Sequence, residues 1–197
     1  MAGLAGLFFV GRPWPNHIDA SGYQLFPAGH GARWAHDLTQ VGSLWGLLIG
    51  VVVLAVVALT QDWVRAVVCA VAPIGAVVVV DQVAKPLIGR QIAGVAGSYP
   101  SGTVTAVSAL AAAAVLVTPR VLRAVTAIAA AALVVGICVA VVVLRWHYPT
   151  DALGGACVGI GTVLFLDGLA HLPWVMGERL GSLRSSHHRE QRSAGWT

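Results

Sequence analysis

Uncharged apolar runs of helix length constrain this chain more than any other feature. Val41–Thr60 and Gly102–Pro119 contain no charged residue, and Ala124–Leu144 runs for 21 residues without one. A helix that crosses a bilayer needs about 20 mainly apolar residues. In lipid, every backbone polar group must be satisfied internally, which leaves helices and closed barrels. Strand-like alternation is absent, so the runs predict helices. Of the 197 residues, 57% are apolar and 10% are charged, against about 25% charged in an ordinary soluble domain. So few charges cannot cover a water-soluble surface of this size. A disordered chain, a secreted disulfide scaffold and most soluble folds are excluded.

The expected fold is all-α: a polytopic transmembrane helix bundle with five spans, about 41–60, 63–84, 102–119, 124–144 and 152–172. The apolar stretch Met1–Val10 is too short to span and lacks the basic start of a cleavable signal. It is expected to form an extra partial or interfacial helix. Residues 1–40 are then an outer-face segment, 41–175 the membrane domain and 176–197 a flexible basic tail. Gly155-x-x-x-Gly159 is a small-residue pair of the kind that lets helices approach in lipid. Cys69, Cys138 and Cys157 lie in apolar runs without metal-ligand spacing and read as small core residues.

Charge placement orients the bundle. Arg65, the Arg120/Arg123 turn and the tail arginines Arg179, Arg184, Arg189 and Arg192 share one side. The positive-inside rule makes that side cytoplasmic. The expected location is the cytoplasmic (inner) membrane, multi-pass, with the C-terminus inside. Residues 85–100 and 145–150 then face outward, together with the N-terminal segment. The net charge of +4 is read as an adjustment to the membrane surface, with no nucleic-acid partner.

The outer loops hold the unusual residues. Lys85, the only lysine, stands four residues after Asp81, one helical turn on. An ionisable residue inside a span is costly and usually functional. Lys85 and Arg90 together suit a phosphate at the membrane surface. Ser101 in Tyr99-Pro100-Ser101-Gly102-Thr103 is a candidate helix N-cap, and the free N–H groups of such an end attract anions. In Arg145-Trp146-His147-Tyr148-Pro149-Thr150-Asp151, the proline favours a helix start and Asp151 falls in the first turn. Asp151 is expected to accept the ring N–H of His147, leaving the other nitrogen as base or nucleophile.

In this order the motifs resemble the type-2 phosphatidic acid phosphatase family, membrane lipid phosphatases with a phosphohistidine intermediate. The resemblance covers about Trp63–Leu172. It implies that Lys85 and Arg90 hold the phosphate, that Ser101 and Gly102 cradle it, that His147 attacks phosphorus and that Asp151 orients His147. The chain departs from the family pattern at three points. Ile92-Ala93 replaces Arg-Pro, Thr103 replaces the acid histidine, and Ala140-Val141 replaces Ser-Arg. Arg145, one turn after Val141, is expected to reach the same phosphate. His17, His30 and His36 of the outer segment are alternative proton donors.

The resulting expectation is an enzyme that dephosphorylates a lipid phosphate or diphosphate, of the polyprenyl or phosphatidyl class, at the outer interface. The catalytic residues are His147 and Asp151; the phosphate-binding residues are Lys85, Arg90, Ser101, Gly102, Thr103 and Arg145. No metal and no cofactor are called for. The partners are the lipid phosphate substrate and membrane lipids, and a homo-oligomer or membrane complex stays open. The rival expectation is a catalytically impaired lipid-phosphate-binding or scaffold protein.

Overall fold

All five apolar runs are helical, but they are not five equal spans. The computed structural model describes residues 15–26, 28, 32–92 and 95–194, with side chains as far as Leu172. In chain order the helices are α1 (His17–Leu25), α2 (Arg33–Thr39), α3 (Leu44–Leu59), α4 (Trp63–Val79), α5 (Lys85–Ile88), α6 (Gly102–Val117), α7 (Arg123–Val143) and α8 (Pro149–Ala194). A 3₁₀ turn, Gln40–Gly42, extends α2, and a π turn, Val80–Ala84, joins α4 to α5. Strands β1 (Gln91–Ile92) and β2 (Val95–Ala96) pair antiparallel. This hairpin was not expected; two-residue strands are too short to show alternation in the sequence.

Three stretches are long and apolar enough to cross a membrane: Trp63–Ile88, Arg123–Val143 and Pro149–Leu172. The expected span at 41–60 is instead a bent pair, Arg33–Gly42 and Leu44–Leu59, at 52°. Ser43 makes the break. Its backbone is extended (ψ 166) and its hydroxyl accepts from the Gly46 N–H, so it caps a new helix. The expected span at 102–119 is 16 residues long, about 24 Å at 1.5 Å per residue and so short of a bilayer core of about 30 Å. It stops because Thr118 precedes Pro119 and is extended. The short length is tolerable because α6 is central: it touches α3, α4, α7 and α8, so protein rather than lipid surrounds it.

The α6–α8 seam explains the Gly155/Gly159 pair. A Cβ at Gly155 would stand 2.5 Å from the Ser101 carbonyl oxygen, and one at Gly159 2.9 Å from the Ala109 nitrogen. Both positions therefore require glycine for the helices to meet as they do. Around α6 the core is mostly small: Ala66, Cys69, Ala72, Ala76, Ala109 and Ala113 are buried in one cluster with Val163. Cys157, expected in the core, is exposed. The outward faces carry exposed Val67, Val78, Ile128, Val135 and Phe165, the surface a lipid environment covers. Met1–Val10 and the side chains of the 176–197 tail lie outside the described residues.

Candidate active site

One end of the bundle gathers the chemistry. Lys85 opens α5, and the π turn before it places Asp81 with Oδ1 2.7 Å from Lys85 Nζ. Ser101 caps α6 as expected, its hydroxyl accepting from the Val104 N–H at 3.4 Å. Gly102 follows as the first residue of α6, and a Cβ there would stand 3.2 Å from Asp81 Oδ1 and 3.6 Å from Lys85 Nζ. His147 comes from the connection between α7 and α8. All of these but Ser101, which is fully buried beneath the helix start, border one open cleft of about 300 Å³: Asp81, Lys85, Gly102, Thr103 and His147 supply its polar side, and Leu44, Leu47, Val77 and Ala106 its apolar side.

The His147 ring is held by a backbone carbonyl, not by the expected carboxylate. Nδ1 lies 2.9 Å from the Ser98 oxygen. A carbonyl only accepts, so Nδ1 carries the hydrogen and Nε2 carries the lone pair. Asp151 stands off at 3.8 Å from Nδ1. Its oxygens accept instead from the Arg90 guanidinium at 2.5 Å and from the Tyr148 N–H at 3.1 Å. The second contact caps the start of α8. Asp151 and His147 are therefore linked by the shared helix start and not by a direct hydrogen bond. Nε2 has no partner among the described residues.

Arg90 does not reach the cleft. It is fully buried, and its guanidinium pairs with both Asp151 and Asp19 while donating to Thr150 Oγ1 at 2.7 Å. The Tyr148 ring covers it at 4.6 Å. Asp19, also fully buried, accepts in addition from the Thr150 N–H and hydroxyl. This cluster ties α1 and the residue before β1 to the start of α8. Arg145 is likewise directed away from the cleft. Its backbone is left-handed (φ 61), a conformation uncommon outside glycine. Its Nη2 donates to the Tyr23 and Phe26 carbonyls at 3.2 and 3.3 Å, and its guanidinium lies over the Tyr23 ring at 3.9 Å. It serves the carbonyl end of α1, where a cation is favoured.

Burial raises the phenols around this end. The Tyr23 hydroxyl is pushed up to about 12, first by loss of water and then by Tyr148, with Arg145 opposing. Tyr99 and Tyr148 are also raised by burial, with the Asp151 carboxylate adding to both. His17 and His36 are exposed; His36 packs edge-on to Trp146 at 5.6 Å. Neither borders the cleft, and His30 lies outside the described residues. Among the described residues no three His, Cys, Asp or Glu side chains are placed to hold a metal ion.

Asp19, Thr150 and Ser98 escaped the sequence reading. For Asp19 a signal existed: Asn16 and Asp19 form a reciprocal capping box, a spacing that marks a helix start. Ser98 acts through its carbonyl, which no side-chain pattern reveals.

No protein-family model matches the chain, and no curated protein sequence matches it. A solved structure does. It is the first transmembrane PAP2 type phosphatidylglycerolphosphate phosphatase from Bacillus subtilis, 18% identical, with a TM-score of 0.67 over 85% of this chain and 93% of that one. The bundle thus has the fold of a PAP2-type membrane phosphatase.

Proposed function

We propose that the protein removes phosphate from a membrane lipid phosphate or diphosphate, with His147 as nucleophile. The observation that carries this reading is the His147 ring. Its Nδ1–H is fixed by the Ser98 carbonyl, and its Nε2, without a partner among the described residues, stands on a cleft shared with Lys85 and the N-terminus of α6. A fixed tautomer with a free nitrogen is what a nucleophilic imidazole needs. In the proposed reaction Nε2 attacks phosphorus in line. The Lys85 ammonium and the N–H groups after Ser101 and Gly102 hold the phosphoryl oxygens. Water then releases phosphate from the phosphohistidine. The apolar wall of Leu44, Leu47 and Val77 gives an acyl or prenyl chain a surface beside its headgroup. Polyprenyl and phosphatidyl phosphates fit this arrangement equally, at the outer face of the cytoplasmic membrane. Asp151, Arg90 and Arg145 act at one remove, by holding the loop that carries His147.

The test is phosphate release from a panel of lipid mono- and diphosphates by the detergent-purified protein, with labelling of the enzyme. Wild type should form an acid-labile, base-stable phosphohistidine, and His147→Ala should form none. One observation favours the second reading, a lipid-phosphate-binding or scaffold protein: Arg90 and Arg145 are both committed to partners away from the cleft. Tight binding of a lipid phosphate by wild type without label or release would establish that reading.

A further inference from the structure

Transfer of phosphate from an alkyl oxygen to His147 leaves an alkoxide that needs a proton. Among the described residues, the titratable side chains bordering the cleft are Asp81, Lys85 and His147. His147 is spent on the attack and Lys85 on the phosphate. The Thr103 and Ser43 hydroxyls do not release a proton near neutral pH. We infer that Asp81 is the catalytic residue that protonates the leaving oxygen, an inference that rests on the phosphatase reading above.

Three independent features single out this carboxylate. It lies within the apolar stretch Trp63–Ile88, where an ionisable group is costly and is retained for function. It is carried by the π turn Val80–Ala84, and such turns cluster at functional sites because they re-aim a side chain. It is also open to the cleft, 41% exposed, while packed against Gly102 and Lys85. It therefore stands beside the first residue of α6, next to Thr103. A carboxylate held only to neutralise Lys85 would not need to border the space the substrate enters.

The proton accounting closes. A phosphate monoester enters as the monoanion with its own proton. As the phosphate takes Lys85 from Asp81, that proton passes to the carboxylate. Nε2 of His147 forms its bond to phosphorus while the bond from phosphorus to the alkyl oxygen breaks, and the Asp81 proton goes to that oxygen to give the alcohol. In the second step water adds to phosphorus, the N–P bond breaks, and one water proton passes to Asp81 and on to the departing phosphate as Lys85 returns to the carboxylate. Inorganic phosphate leaves with the charge that the ester brought.

The experiment compares two leaving groups in the full-length protein: dodecyl phosphate, whose alkoxide needs a proton, and p-nitrophenyl phosphate, whose phenolate does not. The readout is the rate of phosphohistidine formation. Asp81→Asn should slow labelling from dodecyl phosphate by about 10²–10⁴-fold, the usual worth of a general acid. Labelling from p-nitrophenyl phosphate should stay within about tenfold of wild type, because the acid is not needed there. The label should also accumulate, since water activation is lost. Equal slowing on both substrates would overturn the inference and leave Asp81 as a positioning residue for Lys85. Unchanged labelling from dodecyl phosphate would overturn it too, with the phosphatase reading intact. No label from either substrate in wild type would remove the phosphatase reading and this inference with it. Should Asp81→Asn fail to fold, Asp81→Glu carries the same comparison, with a smaller loss confined to dodecyl phosphate.

Discussion

Two cations occupy the same end of this bundle and have opposite fates. Arg90 is fully buried between two carboxylates, a hydroxyl and a tyrosine ring. Lys85 has one carboxylate at 2.7 Å and keeps a quarter of its side chain exposed, toward a cleft. The chemistry of the two side chains suits the division. The planar guanidinium offers several donors in a fixed fork and is satisfied by a set of fixed acceptors. The ammonium is a compact point charge on a flexible stem, which can exchange one anion for another. A cation saturated by its own chain is a joint; a cation with an exchangeable partner suits a binding role. The resemblance gives Lys85 and Arg90 the same phosphate-binding role, whereas the fold puts Lys85 on the cleft and Arg90 in a buried charge cluster.

Substitutions can break this contrast, and His147→Ala should do most. It removes the group that only the cleft can use, so phosphate release and labelling should fall to the assay floor while thermal unfolding in detergent stays near wild type. Arg90→Ala is the mirror experiment. It leaves Asp19 and Asp151 buried together without their cation, which should cost about 3–5 kcal/mol of stability, read as a lowered denaturation midpoint. Activity would fall with it because the helix start bearing Asp151 loosens. Lys85→Ala should lower phosphate transfer by about 10²–10³-fold, the cost of removing one stabilising donor from a transition state. Its stability cost should stay below about 1 kcal/mol, because the Asp81–Lys85 pair is partly open to solvent. If Arg90→Ala spared stability and cost only phosphate affinity, the two cations would be equivalent after all.

The smallest effect concerns pH. Tyr23 titrates near 12 in the folded protein against about 10 in an unfolded chain. Between those values the folded state keeps a proton that the unfolded state has lost, so stability falls as pH rises through that window. Below pH 10 the contribution is fully present. An ultraviolet titration of wild type beside Tyr23→Phe should lose its highest-titrating phenol, and the stability decline above pH 10 should become shallower in the variant.

Most of the fold was legible because lipid punishes irregular backbone so strongly that each span must announce itself as an apolar run. Arg123–Val143 matches its expected bounds within a residue. The Ser43 break and the shortness of α6 were harder to read, since a serine cap and a threonine before proline are weak local signals beside continuous apolar runs. The cleft was largely legible too: the structure brings Lys85, Gly102, Thr103 and His147 together as the spacing suggested. The partners of Arg90 were not. Asp19 is 71 residues away and Thr150 is 60, and Asp19 sits on α1, a nine-residue helix that hydropathy does not announce. Long-range charge pairing leaves no periodic trace, so a cation's task could not be read from its neighbours in sequence.

The glycine seam between α6 and α8 has a bearing on how this site is inherited. Ser101 closes the top of α6, its N–H donates to the Asp151 carbonyl at 3.0 Å, and its own carbonyl is the atom that any side chain at Gly155 would strike. The place where two helices touch most closely is therefore also the place from which the cleft's geometry is measured. The chain can change its exposed lipid-facing valines and leucines without touching that contact. It cannot thicken that seam by one methyl group without moving Gly102 and the helix start after Tyr148 relative to each other. Tolerance on the membrane surface and intolerance beside the cleft are separated here by the width of a single missing side chain.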